Sequence, residues 1–294
     1  FLRKYLNTGG GIEVKPLVTV SIPFKNPGKD LLLAVKSVFA QTFENWELIL
    51  INDGSDDGSE QLVKKIQDPR VRIIDDGKNL GLPARLNQII AESAGELLAR
   101  MDADDAMHPR RLEKQVEIFQ HNPSIDVVDT CAYIIDKEDK VVGKKRCEHA
   151  DANNFYRALK WGIVLHASVM AKKDWYVKNP YRLDYPRAED RELFVRTIQD
   201  TKFYHIAEPL LFYRFEGNVR LNSYLQSYSS ERKVLMEYGP KLIGRTRTAL
   251  LYSRSLAKSS ILYMLSILGL ENIINKNKYE PLSEAERHHA QSLL

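Results

Sequence analysis

Residues Gly95–Pro109, GELLARMDADDAMHP, lead from an almost continuously apolar run into three aspartates within four residues, Asp102, Asp104 and Asp105. A run apolar on both faces is a strand covered by helices on each side, as in a parallel sheet. Two carboxylates held about 4 Å apart repel by roughly 4 kcal/mol at an effective dielectric near 20. A chain therefore gathers them beside its core only where a positive partner meets them. Working outward, the same pattern recurs in LVTVSIPF, ELILIND, VRIID and IDVVDTCAYIID. Between these runs lie helical patterns. KDLLLAVKSVFAQ carries Leu32, Val35, Val38 and Phe39 at helical spacing. PARLNQIIAESAG opens on Pro83 and stops at Gly95, and HPRRLEKQVEIFQHNP opens on Pro109 and stops at Asn122-Pro123.

Strands alternating with helices of this length are βαβ units of a doubly wound sheet. Ligands of such sheets bind at the carboxyl ends of the strands. Asp53 follows WELILIN and Asp102 follows GELLAR, so two strands deliver carboxylates to one edge. A plainer reading makes Asp53, Asp56 and Asp57 Asx turns and caps for a helix from about Ser59, and it suits Asp56 and Asp57 better than Asp53. Asp102 and Asp104 are hard oxygen ligands suited to Mg²⁺ or Mn²⁺, ions that take one or two protein carboxylates and complete their shell with substrate phosphates. Lys78 and Arg85, flanking NLGLPA, are candidates for the cationic half of a phosphate site.

Composition narrows the classes. The 294 residues are 44% hydrophobic and 28% charged, enough for one large α/β core with an appendage. A net charge of +4 demands no nucleic-acid partner. The two cysteines, Cys131 and Cys147, are expected to be unpaired thiols in a reducing cytosol. No secretory signal, CxxC pair, HExxH helix, GxxxxGK[ST] loop or strand-linked GxGxxG is present. Residues 1–16, with Gly9 to Gly11, read as a linker.

Taken in order, VTVSIPFKN, LILINDGSDDGS, KNLGLPARLNQ, ARMDADDAMHPRRLEKQ, LHASVM, RAEDRELFVR and EPLLFYRF resemble the family 2 glycosyltransferases of the GT-A fold, between Val18 and Phe215. The resemblance implies an α/β architecture, a mostly parallel GT-A sheet flanked by helices with a helical C-terminal extension. The implied domain is residues 17–219, with a nucleotide-sugar half at about 17–136 and an acceptor half at about 137–219; residues 220–294 follow as the helical region. The implied reaction is inverting, metal-dependent transfer of a hexose, glucose first, from a UDP-sugar to a hydroxyl of a glycan in bacterial surface-glycan or glycoprotein assembly.

Carried over residue by residue, Pro23, Phe24 and Asn26 would line the base pocket, and Asp53 would accept from the uracil N3–H. Asp102 would hold the ribose and help place the metal, and Asp104 would ligate Mn²⁺ or Mg²⁺. Lys78, Asn79 and Arg85 would lie near the phosphates, and Asp105 would touch the donor sugar. Asp190 would be the general base, within hydrogen-bond reach of the attacking hydroxyl. Glu189 beside it, His166 and Trp161 would serve the acceptor or sugar side, with Trp175 as another platform or a core residue. Two departures stand out: Glu216 occupies the place where many relatives read His as a further metal ligand, and Phe24 replaces a small or β-branched residue.

The expected partners are the UDP-sugar and a glycan acceptor on a protein or lipid carrier, with no nucleic acid. From Arg220 to Lys258, eight basic residues face only Glu231 and Glu237. SSILYMLSILGLENII then follows, too short and interrupted for a membrane span. It reads as a helix buried against the domain or in a homo-oligomer, or as a peripheral anchor beside anionic lipid. EPLSEAERHHAQSLL reads as a final amphipathic helix. The expected location is the cytoplasm, or the inner face of the plasma membrane. Two other classes stay open, a non-catalytic nucleotide-sugar scaffold and a nucleotidyltransferase.

Overall fold

A computed structural model describes residues 15–145, 154–185, 187–215, 221–268 and 279–294. Most of the expected linker, Cys147 and Glu216 lie outside them. The strands are β1 (Val18–Phe24), β2 (Trp46–Asn52), β3 (Val71–Asp75), β4 (Leu97–Arg100), β5 (Ala106–Met107), β6 (Val127–Ile135), β7 (Val141–Lys144), β8 (Met170–Lys172) and β9 (Phe203–Arg214). The helices are α1 (Asp30–Phe39), α2 (Ser59–Val63), α3 (Leu82–Glu92), α4 (Arg111–His121), α5 (Phe155–Trp161), α6 (Lys173–Lys178), α7 (Glu189–Thr197), α8 (Leu221–Ile243), α9 (Arg245–Ile267) and α10 (Glu284–Ser292).

The strands form one sheet in the order β3-β2-β1-β4-β8-β6-β9-β5, with β7 on β6. The α/β class, the largely parallel pairing and the helical C-terminal region are as expected, but the short strands β5, β7 and β8 that join antiparallel were not legible in the sequence. β3, β2, β1 and β4 run parallel. β8 then enters antiparallel to both β4 and β6, and β9 runs parallel to β6 but antiparallel to β5. The reason is range: β8 is three residues long and fills its place in the sheet some seventy residues after β4, too short for a pattern to announce.

Every residue of β1 and β2 is buried, which is why these strands read as unbroken apolar runs. Each fully buried Leu, Ile or Val there contributes about 1.5–3 kcal/mol. One buried charge is built into this core: Glu47 accepts hydrogen bonds from Thr19 Oγ1 (2.6 Å) and the Ala94 amide (2.6 Å). That tie draws Gly95 against β1, where an added Cβ would lie 2.5 Å from the Thr19 nitrogen. α3 itself stops at Glu92, capped by Ser93, and Gly95 lets β4 start in contact with β1.

On the other side, α8 and α9 form a hairpin whose Val234, Leu235 and Leu251 pack on Leu159, Tyr185 and Val195 of the α5–α7 region. The C-terminal half of α9 is less covered, with Ile261, Met264 and Ile267 more than half exposed. Among the described residues no helix is long and apolar enough to cross a membrane. Cys131 is disulfide-bonded, which corrects the expectation of two unpaired thiols, an expectation that rested on the usual state of cysteines in a reducing cytosol.

Candidate active site

The parallel half of the sheet delivers its carboxyl ends to one edge. There the Asp53 amide donates to the Phe24 carbonyl (2.8 Å), joining the ends of β1 and β2. Asp53 is buried, and its Oδ1 accepts from the amides of Leu80 (2.7 Å) and Gly81 (3.2 Å) and from Arg85 Nε (3.0 Å). Gly81 takes φ +84°, a conformation that side chains rarely adopt, so that its amide can reach this carboxylate. The Asn79 amide group, oriented to satisfy both its ends, donates to Asp53 Oδ2 (3.1 Å) and accepts from Lys25.

Arg85 has another task than the phosphate contact expected of it. It is fully buried, and Nη1 and Nη2 donate to Asp76, Gln88 and the Lys78 carbonyl while Nε holds Asp53. All five N–H groups are engaged inside the protein, so no donor is left to a phosphate. Lys78 and Asn79 are exposed beside it. Asn26 (φ 54°) is latched to the loop after β2: it exchanges side-chain and backbone hydrogen bonds with Asp56 (2.7 and 2.9 Å), and its amide donates to Ser55 Oγ (3.0 Å). Asp57 closes an Asx turn on the Ser59 amide and also accepts from the Gly28 amide, as the plainer reading held.

The acid cluster has three protein cations around it, none anticipated. Arg100, the last residue of β4, forms a two-pronged ion pair with Asp102, whose Oδ2 lies 3.2 Å from Nη1. Arg214, at the end of β9, donates its amide to Asp105 Oδ1 (2.9 Å) and its Nε to the Asp104 carbonyl (2.8 Å). Arg111, fully buried on α4, donates to the Arg100 carbonyl (2.7 Å), and burial lowers its pKa to about 9. The signal was a charged residue inside an apolar strand, LLAR, and the quoted FYRF. The positive partner expected for the clustered acids is therefore, for Asp102, an arginine of its own chain.

The remaining charge is not balanced. Burial, then the neighbouring Asp102, lifts the Asp104 carboxyl to about 6, although its surface is open to solvent. Burial, then Asp102 and Asp104, raises Asp105 well above the carboxylate range, and its Oδ2 is buried with no hydrogen-bond partner among the described residues. An orphaned carboxylate oxygen and a carboxyl with a raised pKa, both hard donors, fit a divalent cation. Among the described residues, however, no group of three His, Cys, Asp or Glu could hold one, and Glu216 lies outside them.

A cavity of about 380 Å³, a size suited to a sugar, opens on this cluster. Its lining brings together Arg100, Asp102, Lys145, Trp161, His166, Asp190, Arg191 and Tyr213. Of the expected site residues, Asp102, Asp190, His166 and Trp161 share this wall; Pro23, Phe24, Asn26, Asp53, Lys78, Asn79, Asp104, Asp105 and Glu189 do not line it. Asp190 is half-buried in the first turn of α7, entered through Ala188 at φ 69°. Glu189 is buried, and burial followed by the Asp190 charge raises it to about 7. His166 is buried against Tyr181 (Nε2 to hydroxyl, 2.8 Å) and held neutral, burial and then Arg100 pushing its pKa well down. Trp175 is a core residue, its Nε1 donating to Thr201 (2.9 Å) and its ring stacked on Phe194.

A family model described as "Glycosyl transferase family 2" matches residues 19–173. An uncharacterized glycosyltransferase of Methanocaldococcus jannaschii is 31% identical over 206 residues, 68% of this chain and 71% of that protein. An uncharacterized protein of Sinorhizobium fredii is 30% identical over 244 residues, 79% of this chain but 26% of that longer protein. Among solved structures, Staphylococcus aureus TarS 1–349 in complex with UDP-GlcNAc superposes with a TM-score of 0.61 at 14% identity, over 81% of this chain and 71% of that one. A mannosyltransferase from Pyrobaculum calidifontis in complex with GDP-Man and Mn²⁺ gives 0.58 at 15%, over 96% and 84%. These two likenesses attest the fold.

Proposed function

Since the chain belongs to glycosyl transferase family 2 and is a glycosyltransferase, we propose that it transfers a hexose, with inversion, from a UDP-sugar to a hydroxyl of a glycan acceptor, glucose being the first donor to try. The observation that carries this reading is the shared cavity: Asp102 at the end of β4 and Asp190 at the start of α7 line one wall. In the proposed reaction the acceptor hydroxyl gives its proton to the Asp190 carboxylate as its oxygen bonds to the anomeric carbon. The bond from that carbon to the diphosphate oxygen breaks, and its electron pair leaves with UDP. Glu189, raised to about 7, carries a proton much of the time near neutrality and so spares the base a second adjacent charge.

On the donor side, Pro23, Phe24 and Asn26 would hold the base, with Asp53 Oδ2 taking the uracil N3–H; Lys78 and Asn79 would flank the phosphates. Asp102, fixed by Arg100, would meet the ribose, and Asp105 the sugar. Asp104, with Asp102, would hold Mn²⁺ or Mg²⁺. When bound, that ion supplies charge neutralisation at the leaving diphosphate. The UDP-GlcNAc complex of TarS and the GDP-Man–Mn²⁺ complex of the mannosyltransferase support trying these ligands. The division at about residue 136 into donor and acceptor halves, peripheral membrane contact through α9, and self-association through the C-terminal helices belong to the same proposal.

Thermal unfolding with UDP-glucose, UDP-GlcNAc and GDP-mannose, each with and without Mn²⁺, tests the reading. A donor at about 100 times its dissociation constant adds roughly 2.7 kcal/mol of apparent stability. Stabilisation by a UDP-sugar that needs Mn²⁺ in the natural chain, and loss of that Mn²⁺-dependent stabilisation in Asp104→Ala, is the expected result. No stabilisation by any nucleotide sugar would sink the proposal.

A further inference from the structure

Trp161 closes α5 with 57% of its surface exposed, whereas Trp46 and Trp175 are 2% and 7% exposed. Its indole faces three cations: Lys160 Nζ lies 4.7 Å from the ring centroid, Arg254 Cζ 5.5 Å and Lys258 Nζ 5.6 Å. Two helices remote in sequence, α5 and α9, converge to make this group. None of the three cations has a carboxylate at ion-pair distance among the described residues. The nearby acid Glu231 is held by Arg191 at 2.9 Å. Burial, then Arg254, lowers the Lys258 pKa; Glu231 opposes them, and Arg191 and Lys160 add to the lowering. A cation–π contact at an exposed site contributes about 0.5–1 kcal/mol, too little to explain gathering three cations that have no carboxylate at ion-pair distance among the described residues.

Trp161 lines the cavity that also holds Asp190, Arg191 and Glu231, so the indole belongs both to this cation group and to the cavity of the proposed base. We infer that the acceptor is an acidic saccharide: a sugar ring lies on the Trp161 face, and its carboxylate or phosphate sits among Lys160, Arg254 and Lys258. The inference rests on the glycosyltransferase reading and names the acceptor class for it. An anion there is attracted by all three charges at once, an effect that salt screens over about 10 Å at 0.1 M. A neutral glycan of the same length gains only the stacking.

The full chain can be titrated with oligogalacturonate and with its methyl-esterified neutral counterpart, with acrylamide quenching reporting cover over the one exposed indole. The acidic oligomer should shield Trp161 at least 10-fold more tightly than the neutral one, and the advantage should shrink as salt is raised. Arg254→Glu/Lys258→Glu should lose the difference, and so, separately on α5, should Lys160→Glu, with thermal unfolding confirming that each variant folds. A glycosyl 1-phosphate arm tells phosphate from carboxylate, and binding of either acidic form supports the inference. Equal binding of the neutral oligomer, binding unchanged by the charge reversals, or shielding by phosphatidylglycerol vesicles alone would overturn it. Acidic-oligomer binding with no nucleotide-sugar binding would count against the proposed transfer and leave this site standing.

Discussion

Along the edge made by β2 and β4, arginine side chains of the same chain meet two of the carboxylates, Arg85 holding Asp53 and Arg100 holding Asp102, while the Arg214 backbone amide caps Asp105. At the junction of α5 and α9 the balance is reversed, with three cations around an indole and, among the described residues, no acid at ion-pair distance from them. In the first region Asp53 and Asp102 are held by arginines of the chain itself, whereas the second leaves its charge for a ligand to neutralise. Substitutions in the first should act on folding, and substitutions in the second on recognition. Asp190 sits where the two regions meet.

The largest effect expected is at that junction. Asp190→Asn should lower the transfer rate by about 10³, the usual scale for a lost general base, with UDP binding unchanged. Loss of nucleotide binding as well would place Asp190 in the first region instead. Next, Arg85→Met strips a buried cation from Asp53 and Asp76 and should destabilise the fold by about 3 kcal/mol in urea unfolding. A variant that folds normally but binds nucleotide poorly would reverse the assignment.

Glu189 tests the boundary by pH. Its folded pKa of about 7 lies above the ordinary 4.5, so between those values the native state binds more protons than the unfolded chain. Stability from this group is therefore lost as pH rises through that window. Glu189→Gln should unfold later than the natural chain at pH 8, by about 1–2 kcal/mol, and the gap should close below pH 4.5. A gap that widens toward acid would contradict the burial of this side chain. The smallest effect belongs to neither region: Arg110→Ala, which loses only the exposed Glu113 pair, should leave unfolding and transfer unchanged within error.

The parts legible in the sequence were those written locally. Unbroken apolar runs marked β1, β2 and β4, and the residue following each run, Asp53 or Asp102, could be placed at an edge by counting. Proline entries and glycine or asparagine stops framed α3 and α4. What stayed hidden depends on contacts far apart in sequence. β8 inserts between β4 and β6, and β9 pairs with β6 across register shifts near Pro209 that blur its alternation. Arg214 finds Asp105 across 109 residues. Arg100 is the exception, a charge inside an apolar strand that the sequence displayed openly. Trp161 and Trp175 were alike as letters; only the burial of one and the exposure of the other separates their roles.

The latch between Asn26 and the loop after β2 carries a kinetic consequence. Its hydrogen bonds to Ser55 and Asp56, with Gly28 on Asp57, tie two loops together through groups of the chain itself. A surface already assembled forfeits little conformational entropy on binding and needs no slow closure before a ligand is held. Association at this edge should then proceed at a rate set by encounter and orientation, linear in ligand concentration with no plateau. Stopped-flow traces that saturate with nucleotide would show the two loops parting and reclosing after all.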